Sequence, residues 1–76
     1  MPRIIADFNT LQVDPERVLL GTVGTPNGDR LCQYHSGEQV LLDGGDLEVV
    51  ATLEYDATQQ AWFALPDWQT RRDLVG

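Results

Sequence analysis

The feature that most constrains the fold is a tight-turn signal between two strand-like stretches. Apolar residues occupy every second position at 40 and 42 and again from 47 to 55, the period-two pattern of half-buried β-strands. Gly44 and Gly45 lie between them, and two glycines favour the positive φ angles of a two-residue type I′ turn. Such a hairpin buries the apolar residues of both stretches on one face. It predicts these opposite pairs: Asp43 with Asp46, Leu42 with Leu47, and Val40 with Val49.

The length of the chain predicts one domain, residues 1–76. A domain of this size buries only about 60% of its unfolded surface, so its core supplies little net stability. Cys32 is the sole cysteine, which excludes an internal disulfide, and one Cys with one His cannot by themselves form a structural zinc site. Self-association is the remaining means of stabilising such a chain, and a homodimer is therefore one expected form.

The charge of the chain limits the classes of partner that we expect it to bind. Twelve acidic residues stand against five arginines, lysine is absent, and the formal net charge is −7. A negative surface repels phosphate backbones and anionic membranes, so we expect no direct nucleic-acid partner and no membrane partner. Residues 1–7 lack the apolar core of a signal peptide, and no apolar run approaches the roughly 18–20 residues of a membrane span. The expected compartment is the cytoplasm.

Two stretches before the hairpin also have strand character. Residues 4–8 alternate in polarity, except that Ile5 adds a second apolar side, which predicts that another segment covers that side. Residues 14–17 begin with Asp-Pro-Glu, a helix-start signature, but β-rich sequence follows at once. We therefore expect a single turn there and a strand over 17–23.

The region between that strand and the hairpin is less regular. Residues 24–29 combine Gly, Pro and Asn-Gly, which predicts a turn. Residues 31–34 show no clear alternation, and the sequence leaves open whether they form a short strand or an irregular connector.

The last strand, over 61–65, has two registers open to it. A four-residue loop pairs Tyr55 with Trp62 and turns Trp62 inward, whereas a five-residue loop pairs Tyr55 with Phe63 and turns Trp62 outward. We favour Trp62 inward. Pro66 then ends the strand, and Asp67 is expected to cap a short helix through about residue 74 that covers the open end of a barrel.

The predicted fold class is therefore mainly all-β: a small five- or six-stranded antiparallel, partly open barrel with a short C-terminal helical turn. The order of short strands, the long hairpin and the closing turn resemble SH3-like and similar small barrels. The binding-loop motifs of SH3-like domains are absent, so the resemblance implies a fold and assigns no site residues.

No motif predicts catalysis. Cys32 and His35 are three residues apart, which places them on opposite sides of an extended segment, and the ordinary interpretation is a small buried Cys and a surface His. The glycines of 21–29 lack the Gly-Lys-Ser/Thr of a phosphate loop, and the acidic residues around Gly44 lack calcium-loop spacing. Glu48 and Glu54 lie roughly 20 Å apart along one strand. We expect no catalytic residue, cofactor or metal, and no enzyme.

The remaining signal is aromatic. Large aromatic residues concentrate in the last third of the chain, where they either fill a small core or form a partner surface. The sequence thus predicts a small acidic interaction module that binds a protein partner or a second copy. One alternative is an acidic mimic that occupies a nucleic-acid site on a partner protein, and another is a small ligand-binding domain around Cys32 and His35. The candidate partner-binding residues are Val50, Trp62, Phe63, Leu65 and Trp68.

Overall fold

A computed structural model describes residues 1–13 and 15–74. Strands make up 47% of the described residues and helices 16%, so the predicted mainly-β class is confirmed. Within these residues the strands form one sheet that curls into a partly open barrel, with one α-helix and two short 3₁₀ helices, Phe8–Thr10 and Trp68–Thr70. The described elements are β1 (Arg3–Ile5), β2 (Leu11–Gln12), β3 (Arg17–Thr22), α1 (Pro26–Leu31), β4 (Gln39–Asp43), β5 (Leu47–Asp56), β6 (Ala61–Pro66) and β7 (Arg72–Asp73).

The strands lie in the order β1-β4-β5-β6-β3-β2, and β7 pairs with β5. Every pairing is antiparallel except that of β1, which runs parallel to β4. The expectation of a wholly antiparallel sheet is wrong at this strand, because β1 reaches β4 from a distant part of the chain and no hairpin turn fixes its direction. After β1 the chain crosses through Phe8–Thr10 to β2, at the opposite margin of the sheet.

The central hairpin forms, but its register differs from the prediction by two residues. Leu42 lies opposite Val49, and Asp43 lies opposite Glu48. Of the two turn glycines only Gly45 has a positive φ, 93°, so the type I′ turn does not form. Instead the Asp43 carboxylate accepts a hydrogen bond from the Gly45 N–H at 2.8 Å, and the Gly44 N–H donates to the Leu47 carbonyl oxygen at 2.9 Å, so residues 44–46 connect the two strands. A shift of two residues preserves the alternation, so the predicted inward face is still the buried one.

The pairing of β5 with β6 follows the favoured register. Tyr55 lies opposite Trp62, and a four-residue loop over 57–60 joins the strands. Trp62 is inward and only 5% exposed, as predicted. Gln60 takes the positive φ, 51°, that this loop requires where the sequence offers no glycine.

Residues 26–31 form helix α1 where the sequence pattern predicted a turn over 24–29. Thr25 caps α1 by accepting a hydrogen bond from the Gly28 N–H, and Pro26 occupies the first helical turn, where its missing N–H is harmless. Residues 31–34 are consequently not a strand. Gly28 packs so closely on β3 that a Cβ there would overlap the carbonyl oxygen of Thr22. The Asn27-Gly28 pair therefore serves helix packing rather than a turn.

The C-terminal part also differs from the prediction. The Asp67 carboxylate accepts a hydrogen bond from the Gln69 N–H, so the predicted cap is confirmed. The helix stops after Thr70, however, because the following residues pair with β5 as β7. The start of the predicted turn at Asp14 lies outside the described residues.

The core lies inside the curled sheet and combines side chains from β3 to β6 with one from α1. Among the described residues, no helix is long and apolar enough to cross a bilayer. The fully or almost fully buried members of the core cluster are Val18, Leu31, Val40, Leu42, Val49, Ala51, Leu53, Trp62 and Ala64.

Replacing Gly28 with Ala should destabilise the fold by about 3 kcal/mol, because the new methyl group meets backbone that cannot rotate away. Gly24→Ala is the matched control. Nothing lies within 4 Å of a Cβ at Gly24, so only its positive φ of 92° opposes the change, by about 1 kcal/mol. Urea unfolding measures both. Equal losses in the two variants would contradict the packing of α1 on β3.

Candidate functional site

The five predicted partner-binding residues differ in exposure. Phe63 is fully buried, and Trp62 is 5% exposed within the core. Val50, Leu65 and Trp68 are half-buried. Of the predicted set, therefore, only these three keep accessible surface for a partner.

Phe63 is buried although it faces outward from the barrel, away from the core that holds Trp62. The guanidinium of Arg17 lies 3.8 Å from the centre of its ring, a cation–π contact. Arg17 is held in place by Glu54 at 2.8 Å and Asp56 at 3.2 Å, and its side chain is only 14% exposed. The two ion pairs therefore hold the Arg17 guanidinium over the Phe63 ring, which the alternation of β6 alone would leave exposed.

Trp68 is tied down at one end of the barrel. Its ring centre lies 5.8 Å from that of Phe8, and its indole N–H donates a hydrogen bond to the Glu16 carboxylate. This half-buried aromatic is occupied by contacts within the chain.

A second cluster of ion pairs also lies on the outer face of the sheet, at the opposite end of β5. Arg3 binds Asp43 and Glu48, each at 2.9 Å, and Arg72 lies 3.6 Å from Glu48. The Gly45 N–H and then Arg3 lower the pKa of Asp43 below its ordinary value. Between the two clusters runs a narrow stripe of half-buried apolar residues: Leu41, Val50 and Leu65.

A different surface, not predicted from the sequence, lies along β1. The Pro2 carbonyl accepts a hydrogen bond from the Leu41 N–H, and the Ala6 N–H donates to the Asp43 carbonyl. Backbone groups alternate in direction along a strand, so those of Arg3 and Ile5 point away from β4. Within the described chain, β1 has no strand on that side. The margin of the sheet therefore presents two unpaired N–H and two unpaired C=O groups.

Ile5 stands at this margin and is 85% exposed. It is the residue whose apolar character interrupts the alternation of the first strand, and the sequence predicted that another segment covers it. No described segment does so. This interruption was the one sequence signal that could have located the surface.

An open groove runs beside the margin of β1, between it and the wall formed by β3 and α1. It consists of two adjoining cavities of about 280 and 520 Å³ that share Ile5, Leu20 and Asn27. We call it the edge groove. The first cavity is also lined by Ile4, Leu31, Tyr34, Arg30, Gln33 and Arg3, and the second by Ala6, Asp7, Thr10, Leu19, Gly21, Thr22 and Thr25.

Arg30 stands out electrostatically at the edge groove. Arg3, Arg17, Arg71 and Arg72 all form ion pairs with carboxylates. No ion pair of Arg30 is present in the part of the chain that the structure describes. One end of the groove thus carries an uncompensated positive charge in a protein of net charge −7.

Cys32 and His35 both lie on the surface. Cys32 is exposed just after α1, where its Sγ lies 3.6 Å from the Gly28 carbonyl oxygen, and His35 is exposed in the following turn. The expectation of a buried Cys32 is wrong, because α1 turns this residue outward. Across residues 1–13 and 15–74, no group of three or more His, Cys, Asp and Glu side chains is placed to hold a metal ion.

Comparison with models of known protein families found no match, and comparisons with curated proteins and with solved structures found no significant match either. The likeness to SH3-like barrels therefore stays one of strand pattern. The two outer-face clusters and the edge groove are the candidate functional surfaces of this chain.

Replacing Arg17 with Ala should destabilise the fold by about 2 kcal/mol, because it uncovers Phe63 and removes the buried stem of the arginine. Arg71→Ala is the control, since Arg71 and Asp73 are 51% and 65% exposed and such pairs contribute less than about 0.5 kcal/mol. Chemical unfolding followed by Trp fluorescence gives both values. A loss at Arg17 no larger than at Arg71 would show that the ring needs no cover.

The stability of the fold should fall in acid partly through Asp56. The Gln59 N–H, then the Arg17 side chain and the Thr58 N–H, lower the pKa of Asp56 in the folded chain. A carboxylate with a lowered pKa stabilises the fold above its unfolded pKa of about 3.9, and this contribution is lost as the pH falls through the folded pKa. Asp56→Asn should therefore be less stable than the wild type at pH 6, and the difference should shrink below about pH 4. Thermal unfolding of both proteins across this range checks the direction, and a pH-independent difference would contradict it.

Proposed function

We propose that this protein is a non-enzymatic interaction domain that binds an extended segment of a partner protein along the free margin of β1. The observation that carries the proposal is the 85% exposed Ile5 beside unpaired backbone groups at the sheet margin. A strand margin of this kind is a template for another strand, and natural sheets usually protect it with charge, proline or a covering segment. Here Pro2 and Arg3 precede Ile5, which itself is apolar and open.

The shape of the edge groove supports an extended ligand. Strand addition uses main-chain hydrogen bonds for affinity and pockets for alternate side chains for specificity. The open backbone groups of Arg3 and Ile5 supply the first, and the cavity between β1 and α1 supplies the second. Leu20, Leu31 and Tyr34 give that cavity apolar contact surface.

The other surfaces support a partner less well. The outer-face stripe is narrow and half-buried, and Trp68 already packs on Phe8. The carboxylates of Asp43, Glu48, Glu54 and Asp56 are bound to arginines in two separate clusters, which gives an acidic nucleic-acid mimic little support. A second copy of the chain paired along β1 is one outcome that the test below distinguishes.

The test passes a soluble library of random acetylated pentapeptides with free C-terminal carboxylates over bead-bound protein. We expect wild-type protein to retain a subset of these peptides. Retention by Ile5→Asp should be at least tenfold lower, because the substitution places a charge where the peptide would form hydrogen bonds with β1. Val13→Asp is the matched control, since Val13 is also an exposed apolar residue, at 76%, and does not line the edge groove. Melting curves should show both variants folded.

Amide shifts in ¹H–¹⁵N spectra locate the bound peptide. Shifts at residues 3–5 and 20 are expected. The proposal fails if no peptide is retained, if Ile5→Asp binds as well as Val13→Asp, or if the shifts fall on Val50, Leu65 and Trp68. Sedimentation equilibrium of the free protein tests the second copy as occupant, because a dimer abolished by Ile5→Asp would place this chain itself at the margin.

A further inference from the structure

The edge groove has electrically different ends. Arg30 lines the first cavity beside Arg3, at the beginning of β1, whereas Asp7 lines the second cavity, beyond the end of β1. The Arg3 guanidinium is already bound to Asp43 and Glu48, which leaves Arg30 as the cation at its end. An extended peptide has the complementary polarity, with a negative carboxyl end and a positive or neutral amino end.

The position of Arg30 is fixed by the packing of α1. Asn27, Arg30 and Leu31 follow the spacing of one face of α1, and Tyr34 lies just beyond its end; all four line the first cavity. Leu31 is 5% exposed in the core, and the close contact of Gly28 with β3 holds the helix against the sheet. The helix therefore presents the Arg30 side chain beside the margin of β1.

Because the rest of the surface is predominantly negative, the position of Arg30 indicates where a carboxylate could bind. With a net charge of −7, the protein repels a carboxylate at most of its surface. A planar guanidinium that is not already bound to a carboxylate can bind one bidentately. Arg30 is the arginine at the edge groove that retains this capacity.

We propose that the bound segment runs antiparallel to β1 and places a C-terminal carboxylate against Arg30, an inference that rests on the proposed function. Its amino end then lies near Asp7. The last side chain before the carboxylate enters the first cavity, against Leu20, Leu31 and Tyr34. The partner is thus a protein or peptide with an accessible, apolar C-terminal end.

The experiment uses the pentapeptides retained by the wild-type protein, each resynthesised with a free carboxylate and with a C-terminal amide. Chemical-shift titrations of the whole chain give the two dissociation constants. Amidation should weaken binding at least fivefold. Arg30→Gln should reduce the affinity for the carboxylate form to that of the amide and leave binding of the amide unchanged. Arg71→Gln, at an arginine outside the edge groove, should change neither.

The direction of the peptide is tested with a spin label at its amino end. Broadening of the amide signals near Asp7 supports the antiparallel arrangement, and broadening near Arg30 overturns it. If amidation and Arg30→Gln have no effect while Ile5→Asp still abolishes binding, the carboxylate inference is wrong and the proposed function stands. If Ile5→Asp has no effect either, both are wrong.

Discussion

The fold depends on the ladders that β5 forms along both of its edges. This strand of ten residues pairs with β4 on one edge, and with β6 and then β7 on the other. Because the inward side of β5 is apolar from Val49 to Leu53, each neighbour can bury its own apolar face only by following the curl of this strand. The outward side of β5 carries Glu48 and Glu54, the anchors of the two ion-pair clusters. Core and outer face are therefore organised by the same strand.

The sequence predicted the parts of the fold that rest on alternation. The inward face of the central hairpin was correct despite a register error, because Asp43 and Gly45 closed a longer loop and the shift of two residues preserved the faces. The register of Trp62 was also correct, since a four-residue loop satisfies both strands. The parallel pairing of β1 with β4 was missed, because no local signal specifies which distant strand a short segment will join.

The candidate site was harder to predict than the fold, for two physical reasons. Alternation places Phe63 outward, but only the tertiary structure shows that Arg17, from another strand, covers it. The margin of β1 is open only because the sheet does not close there, which a pattern of residues cannot reveal. In the sequence, Ile5 was the apolar residue that interrupts the alternation of the first strand. Whether it marks an open margin depended on whether another segment of the chain covers it. Thr25 and Pro26 likewise begin helix α1, where the Asn27-Gly28 pair had predicted a turn.

The cover over Phe63 has a consequence for how the protein responds to different denaturants. The group that shields this ring is a guanidinium, so dissolved guanidinium ions are chemically equivalent competitors for the same aromatic face and for the carboxylates of Glu54 and Asp56. Urea carries no charge and can replace neither contact in kind. Guanidinium can therefore reveal a loosening of the outer face that precedes unfolding of the core, whereas urea cannot.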